Sequence, residues 1–246
     1  MPRMVTAIRI YPYIAPLVLA PLSLWLWWSR YANWPQALLA WLIPVLWAYI
    51  VPGIGTNVRG VWEFNTALKL GRFRPHHGFV FGSATAMLAW LAHGAPAHTL
   101  ADVARWALLL SALLGFWNWL YEIKALQADV LRVYNQPWAD GGGPEAIAYD
   151  YAPWIFAGFG AAYGACIAGA EWARAHNHLP LHQPLLWLAW GAAGLLACIA
   201  FPLLGFMWAS MRRHGHTGTR PVNRPAPCPT PPPAEKPSQA TTEHTP

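Results

Sequence analysis

Polar side chains that could perform acid–base chemistry are concentrated in one short stretch, "NWLYEIKALQADVLRVYN", which follows a long apolar run. A single helix through this stretch would carry several of them on one face, because separations of 4, 11 and 14 residues return close to whole turns. The residues on that face are Asn118, Glu122, Asp129 and Arg132, with Tyr121 beside them. We therefore predict that Glu122 and Asp129 act as general bases or metal ligands, with Asn118 as a further catalytic candidate. A structural alternative is that Glu122 forms an ion pair with Lys124 or Arg59.

A second polar stretch, "EFNTALKLGRFRPHHGF", lies between two apolar runs. In it, His76 and His77 are candidate proton donors. Arg72, together with Arg59 upstream, would neutralise an anionic headgroup or a diphosphate. The other residues that we predict to contact a substrate are Glu63, Asn65, Tyr121, Arg132 and Asp150. Ordinary structural roles stay open for this group, namely helix caps, hydrogen bonds between helices and surface ion pairs.

A third group consists of the histidines in "HNHLPLH", which are His176, His178 and His182. Imidazoles at this density can bind zinc, copper or nickel, and an acidic side chain such as Glu171 could complete the ligand set. The spacing matches no known metal signature, so solvated loop histidines are the alternative. The cofactor is therefore unknown from the sequence, with a divalent metal as the candidate.

The composition indicates a membrane protein. Of the 246 residues, 56% are hydrophobic and 11% charged, and the mean hydropathy is +0.26, whereas soluble domains are about 25% charged. Six segments are long enough to cross a membrane, for which a helix needs roughly 20 mostly apolar residues. They are residues 11–29, 36–54, 78–95, 103–123, 151–171 and 185–210. We predict an all-α, polytopic membrane helix bundle in one domain over residues 1–211.

The distribution of basic residues predicts the orientation of this bundle. Of the 16 Lys and Arg residues, all but Arg30, Arg105 and Arg174 border one set of loops and the two termini. The positive-inside bias then predicts that both termini are cytoplasmic. We expect the membrane to be a bacterial inner membrane. The net charge of +6 fits anionic lipid headgroups, and because no groove-reading motif is present we predict no nucleic-acid partner.

Two further segments differ from the spans. Residues 57–74 place Trp62 and Thr66 on one side of a helical wheel and Asn65 and Lys69 on another, which predicts an amphipathic helix in the membrane interface. Residues 212–246 are rich in proline and poor in bulky apolar residues, which predicts a disordered cytoplasmic tail.

Three function classes follow from these observations. The first is a protein that binds or modifies a lipid-like or isoprenoid substrate at the cytoplasmic membrane face. The alternatives are a carrier or a non-enzymatic assembly factor with a membrane-protein partner, and a protein that binds metal through the outer histidines. A nearly charge-free midplane argues against an ion-coupled carrier, whose polar groups lie at that depth. Whether the chain is an enzyme, and its oligomeric state, stay open at this point.

Overall fold

The computed structural model describes residues 2–69 and 74–223, which form a helical bundle with one two-stranded antiparallel sheet. The elements in chain order are α1 (Pro2–Ile14), α2 (Ala20–Tyr31), α3 (Trp34–Gly53), β1 (Trp62–Phe64), α4 (His77–Ala92), α5 (Leu100–Gln127), β2 (Leu131–Val133), α6 (Gln136–Ala139), α7 (Pro144–Ala175) and α8 (Pro184–His214). A π-helical turn at Ala15–Leu19 joins α1 to α2, and another at Ile54–Arg59 extends α3.

Within the described residues, five helical stretches are long and apolar enough to cross a membrane, which confirms the all-α bundle. They are Val5–Tyr31, Trp34–Arg59, Leu100–Gln127, Pro144–Ala175 and Pro184–His214. The sixth predicted span corresponds to α4, which has 16 residues and ends at Ala92. At 1.5 Å per residue its length is about 24 Å, somewhat less than the roughly 30 Å of a hydrocarbon core.

Local sequence explains where these helices begin and where they adopt π-helical turns. The Asn33 side chain accepts a hydrogen bond from the Gln36 amide at the start of α3 (3.1 Å), and Thr99 and Asp102 form the capping box expected from "TLAD" at the start of α5. Pro16 lies in the first π-helical turn, where a missing N–H donor loosens the helical hydrogen-bond ladder. Pro52 precedes the second π-helical turn in the same way.

Small residues set the closest packing, which is between α5 and α7. A Cβ atom on Gly160 would lie 2.3 Å from the Leu110 carbonyl oxygen, and one on Gly164 would lie 2.7 Å from that of Trp106. These glycines therefore allow the two backbones to approach, as in membrane helix pairs generally. Aromatic rings fill the centre of the bundle, where Trp47 lies 4.7 Å from Phe159 between ring centroids.

The termini of the helices lie at two opposite ends of the bundle. At the first end, β1 pairs with β2, the Arg9 guanidinium donates to the Ala128 carbonyl (3.3 Å) and the Val222 amide donates to the Tyr134 carbonyl (2.9 Å). We call this the basic end, because it holds both ends of the described chain and the basic loops. The histidine end comprises residues 32–33, 93–99 and 176–183, where Tyr31 contacts Glu171.

Two sequence predictions near the basic end are wrong. The interfacial helix expected over 57–74 is absent from its described residues, 57–69: the helix ends at Arg59, Gly60 adopts a left-handed φ of 71° and β1 follows. Cross-strand pairing explains the difference, since Glu63 lies opposite Arg132 in the antiparallel register. The disordered tail predicted from residue 212 is also wrong for residues 212–223, because α8 continues to His214 and the Val222 amide donates to the Tyr134 carbonyl. Residues 224–246 lie outside the described part of the chain.

Candidate functional site

A cavity of about 660 Å³ lies between α1 and α4 on one side and α5 and α7 on the other. The β1–β2 hairpin borders it at the basic end, through Trp62, Phe64 and Leu131. Its walls follow α4 from His77 to Leu88, a distance of about 17 Å at 1.5 Å per residue. Most of the lining is apolar or aromatic, and its size falls in the range of small-molecule sites.

The polar lining contains five of the predicted site residues. The polar side chains are Tyr11, Thr66, His76, His77, Thr85, Asn118, Tyr121, Glu122 and Tyr151. The structure therefore brings together Glu122, Asn118 and Tyr121 from α5 with the histidine pair at the start of α4. Sequence reasoning missed Tyr11, Thr66, Thr85 and Tyr151. Tyr151 could have been found, because it is the first residue of the predicted span 151–171 and lies at the same end of the bundle as Glu122.

Glu122 is the carboxylate of the cavity, and Tyr151 is its hydrogen-bond partner. The Tyr151 hydroxyl donates to Glu122 Oε2. No Lys or Arg among the described residues forms an ion pair with Glu122; Lys124 donates instead to the Gln127 side chain (3.0 Å). The alternative of an ion pair with Lys124 or Arg59 is therefore wrong for these residues. An acidic side chain without a cation, in a mostly apolar wall, is costly and is usually kept for function.

His76 and Thr66 present buried polar atoms without a partner in the described structure. His76 is 5% exposed, its ring stacks on Tyr13 at 5.7 Å and its Nδ1 accepts or donates no hydrogen bond there. Burial, and then the nearby Arg74, lower the pKa of His76, so the imidazole is neutral at pH 7. The Thr66 Oγ1 is also unpaired. Buried polar atoms of this kind normally have partners, and both residues line the cavity.

Asn118 and the tyrosines on the α5 wall are partly engaged. The Asn118 amide donates to the Leu114 carbonyl of its own helix (2.9 Å). The Tyr121 ring meets the Tyr11 ring edge-on at 6.1 Å, and the Tyr11 hydroxyl donates to the Val80 carbonyl (2.6 Å). These contacts fix the side chains, and the Asn118 role as a catalytic group stays a prediction.

Asp129 is not part of this cavity, contrary to the one-helix prediction. Helix α5 ends at Gln127 and Asp129 adopts a left-handed φ of 54°. Its carboxylate lies on the surface, bound by Arg132 (2.7 and 2.9 Å) and by the Asn65 amide (3.2 Å). The hydrogen bond from Arg132 lowers the pKa of Asp129 and raises that of Arg132. Asp129, Arg132 and Asn65 therefore form a solvent-exposed cluster that pins the turn after α5.

The remaining substrate-contact candidates also lie away from the cavity. Glu63 accepts a hydrogen bond from the Tyr134 hydroxyl (2.7 Å) in the hairpin region. Arg59 is exposed at the end of its π-helical turn. Neither residue lines the cavity. Arg72 lies outside the described residues, so its predicted role stays a prediction.

Asp150 has a structural environment between α7 and α8. It is 3% exposed and contacts Arg213 (3.0 Å), His214 (2.8 Å) and the Asn135 amide (3.1 Å). It lies six residues beyond the start of α7, so the alternative role as a helix cap is wrong, and it does not line the cavity. The cluster ties the end of α8 to the loop before α7. Sequence reasoning missed Arg213 and His214 because they were assigned to the tail.

The histidine end contains a buried network instead of the predicted metal site. His176, His178 and His182 are exposed, and the described residues contain no group of three His, Cys, Asp or Glu side chains placed to hold a metal ion. The first two histidines stack at 6.3 Å, and the His176 ring bonds to the Trp172 carbonyl, which leaves the three without a common centre.

Glu171 forms the centre of this network. It is 3% exposed and contacts His93 Nε2 (2.6 Å), the Tyr31 hydroxyl (2.6 Å) and the Ala97 amide (2.8 Å). Arg30 contacts His93 Nδ1 (3.0 Å) and two backbone carbonyls. The network therefore joins α2, the segment after α4 and α7 at the end of the bundle opposite the cavity residues.

Comparison with known proteins adds nothing to this geometry: no family model, curated protein or solved structure matches the chain.

Proposed function

We propose that this chain is an integral membrane protein that binds a lipid-like or isoprenoid molecule in the cavity, with the polar end of the molecule at Glu122. The observation that carries the proposal is an elongated apolar cavity with one carboxylate, near one end, among its described lining residues. Burying an apolar chain there is worth roughly 25 cal/mol per Å² removed from water. Glu122, supported by the Tyr151 hydroxyl, is the group suited to exchange a proton with the bound molecule.

A lateral opening in the cavity wall supports entry from the bilayer. Ile10 and Ile14 of α1 and Trp117 of α5 all line the cavity, yet they are 47%, 47% and 53% exposed. Apolar residues that face both a cavity and the outer surface of a helical bundle mark a gap between the helices. A molecule with a long apolar chain would reach the cavity through this gap without crossing water.

The proposed location of the polar end is the cytoplasmic face. Glu122 precedes the last residue of α5 by five positions, or about 8 Å along the axis, and α5 ends at the basic end. The positive-inside bias assigns that end to the cytoplasm. Anionic lipid headgroups around the basic loops would be its second class of partner.

Native mass spectrometry of the purified protein tests the proposal. Ala84 lines the cavity halfway along α4, so Ala84→Trp should fill it and remove a co-purifying lipid-like molecule that the unaltered protein retains. Ala193→Trp, at an exposed position on α8, is the matched control and should retain it. Equal retention in both variants, or no retained molecule in the unaltered protein, would favour an assembly role instead.

A further inference from the structure

The ionisable groups of the cavity wall constrain the headgroup of the ligand, on the basis of the proposed function. Glu122 is an acceptor once ionised, and among the described lining residues there is no Lys or Arg. An anionic headgroup, as in a phosphate or diphosphate ester, would face this carboxylate with no cation among the described lining residues to neutralise it. The sequence expectation that Arg59 would neutralise a diphosphate therefore loses its structural basis, because Arg59 does not line the cavity.

The opposite wall disfavours a cationic headgroup. Arg74 lies behind Phe64 and His77, around a separate chamber of about 20 Å³, and its Nη2 donates to the Phe64 carbonyl (2.8 Å). The guanidinium does not line the main cavity but contributes positive potential to the wall that carries His76. An ammonium group would be attracted by Glu122 and repelled from this wall.

We infer that the headgroup is an uncharged hydroxyl, so that the ligand class is a long-chain or isoprenoid alcohol. A hydroxyl donates one hydrogen bond and accepts others. It can therefore donate its hydrogen to the Glu122 carboxylate, while its oxygen accepts from the Thr66 hydroxyl or the His76 ring, which also line the cavity and are unpaired at Oγ1 and Nδ1. The apolar lining along α4 takes the chain.

Three probes with the same isoprenoid chain test this inference: geranylgeraniol, geranylgeranylamine and geranylgeranyl monophosphate. Each is titrated into the purified protein in nanodiscs of uncharged lipid, and binding is read from the fluorescence of the tryptophans in the cavity wall. The alcohol should bind at least tenfold more tightly than the phosphate and more tightly than the amine. Glu122→Gln should reduce the discrimination against the phosphate, whereas Asp129→Asn, at the exposed carboxylate outside the cavity, should leave it unchanged.

The outcomes separate this inference from the proposed function. Phosphate or amine binding as tight as alcohol binding, and lost in Ala84→Trp, would overturn the alcohol assignment while the lipid-binding function stands. If no probe binds, or if Ala84→Trp leaves the binding of every probe unchanged, both the alcohol assignment and the lipid-binding function would be overturned. If Glu122→Gln does not fold, the ranking of the three probes in the unaltered protein decides the question alone.

Discussion

Removing the Glu171 carboxylate should destabilise the bundle more than any single change of a surface charge. Glu171→Ala deletes the acceptor of three hydrogen bonds, from the His93 ring, the Tyr31 hydroxyl and the Ala97 amide. A buried donor left without a partner costs about 1–3 kcal/mol, and three buried donors lose their acceptor in this variant. We expect a loss of roughly 3–5 kcal/mol, because the Tyr31 hydroxyl can move to the nearby His93 ring and recover part of the cost.

The measurement is reversible unfolding in mixed detergent micelles, followed by tryptophan fluorescence. In thermal melts the same loss corresponds to a Tm lower by roughly 6–20 °C, at about 2–4 °C per kcal/mol for a chain of this size. Glu171→Gln keeps one carbonyl acceptor and should give an intermediate loss. Glu145→Ala, at an exposed position in the first turn of α7, should change stability by less than about 0.5 kcal/mol. If Glu171→Ala lowers the free energy of unfolding by less than about 1 kcal/mol, the network does not stabilise the histidine end as described here.

Three further predictions concern the basic end. Asp129→Ala removes an exposed ion pair, so the free energy of unfolding should change by at most about 1 kcal/mol. The variant should still retain the lipid-like molecule, and loss of retention would show that Asp129 takes part in binding. Because the folded state holds the pKa of His76 below its usual value, the unfolded state binds more protons as pH falls below about 6.5. Stability should therefore decline below that pH, and less steeply in His76→Gln; identical slopes would contradict this. Cysteines introduced at Lys124 and His178 should react with impermeant reagents from the cytoplasm and from outside, respectively, and labelling from one side only would overturn the topology.

The fold class and five of the polar residues that line the cavity could be predicted because the relevant signals are local. Apolar runs of span length set the helices, and interruption of those runs by polar residues singled out Glu122 and the His76–His77 pair. The pattern of Lys and Arg likewise sorted the loops into two sets, which the contacts at the basic end reproduce.

The wrong predictions depend on contacts between distant parts of the chain. The strand at Trp62–Phe64 exists because it pairs with residues 131–133, and the same hairpin requires the left-handed turn that removes Asp129 from the α5 face. Glu171 of α7 meets His93, the residue that follows α4, across 78 positions of sequence. Helical periodicity within one segment carries no information on such pairings.

Photo-crosslinking with two isoprenoid alcohol probes tests the central claim, binding of a lipid-like molecule in the cavity, most directly. One probe carries a diazirine beside the hydroxyl and the other at the far end of the chain, and labelled peptides are mapped by mass spectrometry. The first should label peptides that contain Glu122 or Tyr151, and the second should label the deeper wall of α4 near Met87 and Leu88. Both labels should disappear in Ala84→Trp. Labels spread over the exposed leucines of α8, such as Leu188 and Leu204, and unchanged in that variant, would contradict the account.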